Sequence, residues 1–579
     1  MEKSQRRSAD LENGDRINLL EEAMMQGRID RRSFMKFAAA LGLSATSAAA
    51  MAQNASAVES NQSALAGNLQ RQYDYIICGA GSSGCVIASR LSENPDVKVL
   101  LIEAGRGDQV PAIQDPGIWF TNLGTEREWG DKSVPQRNLN NRQISLAMGK
   151  AIGGGSSINV MAYARGHKND YDYWAAEAGD PRWNYEHVLG IYKRIEDWQG
   201  APDPAYRGTG GNVWVQPANA PNPIAPAMVK AAASVGIPSF DDHNGAMMEG
   251  PGGCAIANTT IKDGRRRNMA SQYLHPVMAR SNLTILTQAE VQKITLNGKR
   301  ATGVEFIWQG KIYKIDAAKE VVLSTGALNS PKLLMLSGIG DEASLKRVGI
   351  RAIHHVPGVG QNFMDHILLG GCVWEYNTAQ LPRNNLAECT FFWKSDSRLD
   401  TPDLQPFQIE IPYTSEVTGK QFAIPQAAWS IAPGLVRPAS RGHVELQSSD
   451  PRDHLKIHAN FLSDPADMKA LVRAVELCRE IGNAPELRAF AKREVMPGPL
   501  KGKELENFIR NAAMTYWHET GTCKMGRDAM AVVDHKLRVR GIEGLRIADG
   551  SIMPRVTTGN TMAPCMIIGE RMAEILKQA

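Results

Sequence analysis

The chain has 579 residues, 43% of them hydrophobic, enough for a large core; because single cores stop growing at ~250–300 residues, two structural units are expected. Its 65 basic and 61 acidic residues leave a net charge of +4, dispersed along the sequence, which excludes the basic face of a nucleic-acid binder. The 8 cysteines contain no C-x-x-C pair and the 12 histidines no H-E-x-x-H spacing, so a disulfide framework, a zinc ribbon, covalent haem and other metal sites are not expected. His354 and His355, adjacent, would point opposite ways on a strand.

In chain order, residues 11–29 read as a polar helix, and residues 30–36 spell DRRSFMK, which resembles a twin-arginine export motif centred on Arg31 and Arg32. An apolar stretch of small residues, 37–50, leads to Ala50-Met51-Ala52, a small-x-small cleavage pattern. That stretch is shorter than the ~20 residues needed to cross a bilayer. Residues 1–52 are therefore expected to be a signal peptide for a periplasmic protein exported already folded, and residues 53–71 a flexible linker rich in Asn, Ser and Ala.

Residues 73–78 then read as a short buried strand that runs into Gly79-Ala80-Gly81-Ser82-Ser83-Gly84, a complete G-x-G-x-x-G. A helix over 82–92 and a second strand over 97–103 follow, so the motif sits where a dinucleotide-binding unit needs it. Gly79 permits the tight turn, Gly81 lets the backbone approach a pyrophosphate at the helix N-terminus, and Gly84 allows close packing of helix on strand. Glu103 ends the second strand, where a carboxylate can accept the ribose hydroxyls. This unit serves NAD and FAD alike and leaves the choice open.

Further along, Asp263-Gly264 followed by Arg265-Arg266-Arg267 reads as a solvated turn, and residues 291–294, 303–307 and 311–315 as strands of a small inserted sheet. A strand over 321–324 turns at Gly326 towards a helix expected to begin near Ser330-Pro331, the pairing typical of a helix start.

Three segments carry a family resemblance. The first is Met148-Gly149-Lys150-Ala151-Ile152-Gly153-Gly154-Gly155-Ser156-Ser157-Ile158-Asn159, and the second runs from Ser324 through Asn329-Ser330-Pro331 to Gly340. The third is Tyr516-Trp517-His518-Glu519-Thr520-Gly521-Thr522-Cys523-Lys524-Met525-Gly526, followed by residues 545–554 and by Gly559-Asn560-Thr561-Met562-Ala563-Pro564. In order, over residues 72–577, they resemble the glucose-methanol-choline (GMC) oxidoreductase family. Lys150 stands where that family usually has Arg, and Gly155 where Ser or Cys is common.

The resemblance implies an α/β protein: a Rossmann-like FAD-binding domain with an interleaved α+β substrate-binding domain. It implies FAD, held by Gly79, Gly81, Ser82, Ser83, Gly84, Glu103, Gly153, Gly154, Ser156, Asn159, Val291, Asp549, Asn560 and Thr561. Ile158 stands where members with covalent flavin carry His, so the cofactor is expected to be non-covalent. The cofactor domain is expected over 72–168 and 251–356, the motif-poor substrate domain over 169–250 and 357–500, and a C-terminal cofactor and catalytic segment over 501–579.

The resemblance implies that His518 is the catalytic base and Asn560 its partner. Oxidising a small-molecule alcohol removes a hydroxyl proton and a hydride from one carbinol unit, which requires a base on one side and an acceptor on the other. Electrons are expected to pass to a quinone or a cytochrome. An oxidase using oxygen, a hydroxynitrile-type lyase that keeps FAD without net redox chemistry, and a non-catalytic flavin carrier are the alternatives.

Overall fold

The structure, a computed structural model, describes residues 60–578; the candidate export signal and Arg31 and Arg32 lie outside the described residues. Its first sheet has seven strands. Gln72–Cys78 lies inside it, parallel to Val99–Ile102 on one side and to Lys311–Leu323 on the other. Leu283–Leu286 adds a further parallel strand beyond Val99–Ile102. Val99, Leu100, Leu101 and Ile102 are all buried, the pattern of a parallel strand covered on both faces.

The helix Ser82–Leu91 follows the glycine turn. Gly79 has φ +96°, and a Cβ there would lie 2.4 Å from the Ser324 carbonyl oxygen. At Gly84 a Cβ would lie 2.0 Å from the Gly79 carbonyl oxygen, so any side chain would force this helix off the strand. The C-terminal helix, Met562–Lys577, packs across Ser82–Leu91, and the Ser83 hydroxyl donates to the Cys565 carbonyl at 2.7 Å.

Several expectations are corrected. Residues 60–67 are helical rather than a loose linker: the Asn61 and Gln62 amides donate to carbonyls of Met278, Arg280 and Leu283, anchoring the segment beside the first sheet. The strands expected as a small separate sheet, now Ala289–Asn297, Arg300–Trp308 and Lys311–Leu323, are an antiparallel extension of the main sheet. Lys311–Leu323 is long enough to pair with this extension through its first half and with Gln72–Cys78 and Leu545–Ile547 through its second.

The helix expected near Ser330-Pro331 begins earlier, as Gly326–Leu336 with Pro331 inside it. Proline has no N–H for the carbonyl four residues back. That carbonyl, of Ala327, accepts instead from the Thr522 hydroxyl at 2.5 Å, which ties this helix to the third motif segment.

A second, six-stranded sheet is antiparallel throughout: Ala491–Met496, Cys372–Tyr376, Ala428–Ala432, Phe407–Ile409, Cys389–Phe392 and Gly253–Ile256. Gly253–Ile256 comes from a stretch expected in the cofactor domain, so the interleaving is finer than the motif boundaries indicated. His354–His355 forms a two-residue strand against Ile339–Gly340.

Candidate active site

One cavity runs from the glycine turn to the third motif segment. Gly79, Gly81, Ser82, Ser83, Glu103, Gly154, Ser156, Asn159 and Val291 line it, and so do His518, Asp549, Asn560 and Thr561. Gly84 and Gly153 stand behind its wall. At Gly153, φ is +89° and a Cβ would meet the Ser157 hydroxyl at 2.3 Å, so this residue shapes the turn that presents Gly154 and Ser156.

At one end Glu103 accepts from the backbone N–H groups of Ala80 and Gly105, both at 2.8 Å. Burial pushes its carboxyl up to about 7 despite these bonds. Midway, Asp549 accepts from the Gly326 N–H at 2.9 Å and the Ser330 hydroxyl at 2.5 Å, which joins the second motif to the third; burial raises it too.

His518 is held by a turn whose geometry is unusual. Ala513–Thr515 pairs antiparallel with Ile367–Leu369, and the chain then passes through Trp517 at φ +58°, a left-handed conformation that bulky residues seldom adopt. Asp365 secures it: the Thr515 hydroxyl donates to its Oδ2 and the His518 N–H to its Oδ1 at 2.9 Å. Burial lifts the Asp365 carboxyl to about 7.

A chain of hydrogen bonds fixes the protonation state of His518. Gln405 Nε2 donates to Asn560 Oδ1 at 3.1 Å, so Asn560 turns its Nδ2 towards His518 Nε2, 3.3 Å away. Nε2 is then the acceptor, and the ring proton sits on Nδ1. That Nδ1–H faces His366 Nδ1 at 2.9 Å, which must accept, leaving the His366 proton on Nε2. His366 Nε2 meets no acceptor at good geometry and lies near the carbonyls of Thr557 and Val436.

Burial pushes His518 down to about 3, and burial with the adjacent His518 holds His366 well below the ordinary imidazole value as well. Both rings are neutral at neutral pH. Tyr516 stacks on His518 with centroids 4.9 Å apart and planes at 15°.

The expected solvated arginine run is corrected here. Asp263 and Gly264 do form a hairpin turn, with φ +51° and +71°, between Ile261–Lys262 and Arg265–Arg266. Arg266, however, is 2% exposed. Its Nε donates to the Ile113 carbonyl at 2.6 Å, and its Nη1 to Asn159 Oδ1 at 2.6 Å and to the Ser156 carbonyl at 3.1 Å. Burial among neutral acceptors pushes the guanidinium down to about 9, still cationic at neutral pH.

Sequence reasoning missed His366, Asp365, Gln405 and Arg266. The adjacent Asp365-His366 lies in a stretch that carried no recognised motif, and nothing local announces that its strand pairs beside His518.

A nucleotide-type glycine turn opens into a cavity that ends at a neutral imidazole and an amide, the layout of a cofactor-dependent oxidoreductase. Family comparison agrees: residues 73–368 and 438–569 match the two GMC oxidoreductase family models, and the chain belongs to the GMC oxidoreductase family. It is 37% identical over 533 residues to an alcohol dehydrogenase [acceptor] of Pseudomonas putida, covering 87% of this chain and 95% of that one. It is 36% identical over 541 residues to an oxygen-dependent choline dehydrogenase of Paraburkholderia xenovorans, covering 87% and 94%.

Among solved structures it resembles pyridoxine 4-oxidase from Mesorbium loti, with TM-score 0.84, 33% identity and coverage of 88% and 99%. Formate oxidase of Aspergillus oryzae, studied for FAD modification, aligns with TM-score 0.80 and 25% identity over 88% of this chain and 98% of that one.

Proposed function

We propose that this protein oxidises an alcohol to an aldehyde or ketone with FAD, using His518 as base. The single observation that carries the reading is the unprotonated Nε2 of His518 facing Asn560 in the cavity that the glycine turn opens. The residues present fit FAD: the glycine turn, Glu103, the Gly154–Asn159 segment and the catalytic pair line one continuous space, where buried oxygens of Glu519 and Thr520 have no protein partner.

Gly79, Gly81, Ser82, Ser83 and Glu103 would hold the adenosine and pyrophosphate portion, Asp549 and Thr561 the middle, and Ser156 and Asn159 the flavin ring. When bound, the flavin supplies the hydride acceptor. His518 Nε2 takes the hydroxyl proton while Asn560 Nδ2 donates to the alcohol oxygen as it becomes negative. The imidazolium so formed passes a hydrogen bond from Nδ1–H to His366. Ile158 offers no nucleophile for a covalent flavin link, so acid should release the cofactor.

A dehydrogenase that passes electrons to a quinone or cytochrome is the preferred form of this reading, and periplasmic export through Arg31 and Arg32 its preferred location. Replacing both arginines by Lys should leave precursor in the cytoplasm; undiminished periplasmic protein would refute export by this signal. The activity is tested by anaerobic mixing with alcohols. Bleaching of the flavin supports oxidation and excludes the lyase, and His518→Ala should keep FAD but slow bleaching about 10²–10⁴-fold. A variant that holds FAD and is reduced at the parental rate would remove His518 as the base.

A further inference from the structure

The wall beside His518 is made almost entirely of carbon. Leu368, Ala387, Phe407, Ile409 and Tyr516 are buried, pack as one cluster and line the cavity, with Val160 against them. Tyr516 links this wall to the base by stacking on His518, and Phe407 meets Tyr516 edge-on at 6.2 Å.

A cationic substrate would need a carboxylate or a cage of open aromatic faces here, since a buried charge without a partner is strongly disfavoured, and on this wall Tyr516 gives a face to His518 while Phe407 meets Tyr516 edge-on. Among the described residues, the carboxylates that line the cavity are Glu103, Glu290, Glu519 and Asp549. Glu103 is engaged at the glycine turn, Glu290 lies beside Lys150, and Asp549 caps the Gly326 and Ser330 donors. Glu519 is fully buried, its unpartnered oxygens belong to the space given above to FAD, and desolvation, then the nearby Asp365, holds its carboxyl well above the usual range. Glu388 and Glu410 are adjacent in sequence to wall residues but do not line the cavity. They bond Asn222, Asn384 and the Arg383 N–H behind it.

A polyol fits no better, because each added hydroxyl would lose its water to a surface with few donors or acceptors. One polar group does stand out on this side. The Tyr413 hydroxyl is buried and has no protein partner, although its ring packs against the apolar cluster and lines the cavity. Desolvation raises its phenol far above the ordinary value, so it is a donor at every working pH.

We propose that the substrate of this site is an uncharged alcohol with an apolar body, and that Tyr413 selects among such alcohols by donating its hydroxyl to an acceptor atom on them. The proposal rests on the alcohol-oxidation reading for its chemistry and on the wall for its selectivity. It sets this chain apart from those relatives that are named for choline.

The test compares 3,3-dimethylbutan-1-ol with choline, which has the same shape but a cationic nitrogen in place of the quaternary carbon, and with glycerol. FAD-loaded enzyme is titrated anaerobically, and both the dissociation constant from flavin difference spectra and the bleaching rate are read. The neutral isostere should bind at least about tenfold more tightly than either competitor. Choline or glycerol binding equally well or better overturns the proposal, even if the flavin bleaches. If binding follows the expected order and no alcohol bleaches the flavin, the oxidation reading fails and the selectivity stands.

For Tyr413, the probe pair is 4-methoxybenzyl alcohol and 4-methylbenzyl alcohol. The parent should bind the methoxy compound more tightly, and Tyr413→Phe should erase about tenfold of that preference while leaving the methyl compound unchanged. A preference that survives in Tyr413→Phe, or is absent from the parent, overturns the role given to the hydroxyl.

Discussion

Replacing His366 by Phe tests whether His518 owes its protonation state to a neighbouring ring. Phe keeps most of the volume, and the lost Nε2–H had no well-formed partner, so packing should survive. What disappears is the acceptor for His518 Nδ1–H, 2.9 Å away. A buried donor left unpaired costs about 1–3 kcal/mol, and about 1.4 kcal/mol is a factor of ten. If that cost falls on the reactive tautomer, its population and the flavin reduction rate fall about 5- to 150-fold.

The assay is anaerobic stopped-flow reduction by a saturating alcohol, with FAD content and circular dichroism as controls. His366→Asn should recover most of the rate, because its side-chain oxygen can accept near the lost Nδ1. The loss in His366→Phe should lie in the reduction rate rather than in alcohol binding. A His366→Phe enzyme that binds FAD and is reduced at the parental rate would refute the tautomer argument.

Arg266→Met removes the cation that holds Asn159 Oδ1 and the Ser156 and Ile113 carbonyls; FAD affinity should weaken by about 10- to 100-fold with the fold intact. Unchanged FAD affinity by fluorescence titration would mean that Arg266 serves the hairpin alone. Glu410, raised to about 9 by burial and by its hydrogen bond and repulsion with Glu388, holds a proton in the fold that it releases when unfolded. Its contribution to stability is therefore present at low pH and is lost as pH rises through that value. Glu410→Gln should gain stability relative to the parent by at most about 1.4 kcal/mol per pH unit across this window. Urea midpoints at about pH 6 and about pH 9 check it, and an unchanged difference between the proteins would exclude a shared proton in the Glu388–Glu410 pair.

Local signals made the cofactor half readable. Gly79, Gly81 and Gly84 act within one strand-turn-helix unit, so their spacing alone announces the turn that the structure contains. Gly326–Leu336 starts before the position its sequence indicates, because Pro331 is normally a first-turn residue and the compensating hydroxyl of Thr522 is far away in sequence. Arg266 read as solvated for a similar reason. A basic run beside Asp-Gly looks like a surface turn, and only the tertiary fold brings the Ile113, Ser156 and Asn159 acceptors to it.

The catalytic end shows the same division more sharply. His518 and Asn560 sit in recognisable motifs, yet what leaves His518 with an unprotonated Nε2 comes from Gln405, Asp365 and His366, far away in sequence. Burial alone would leave a weak, neutral imidazole with either nitrogen protonated. These distant segments supply the direction: Gln405 orients the amide, the amide selects the nitrogen, and His366 accepts from the Nδ1–H that remains. The wall of Leu368, Phe407 and Ile409 arrives on the same segments that carry His366 and Gln405. These segments thus set both the orientation of the His518 ring and the apolar surface beside it.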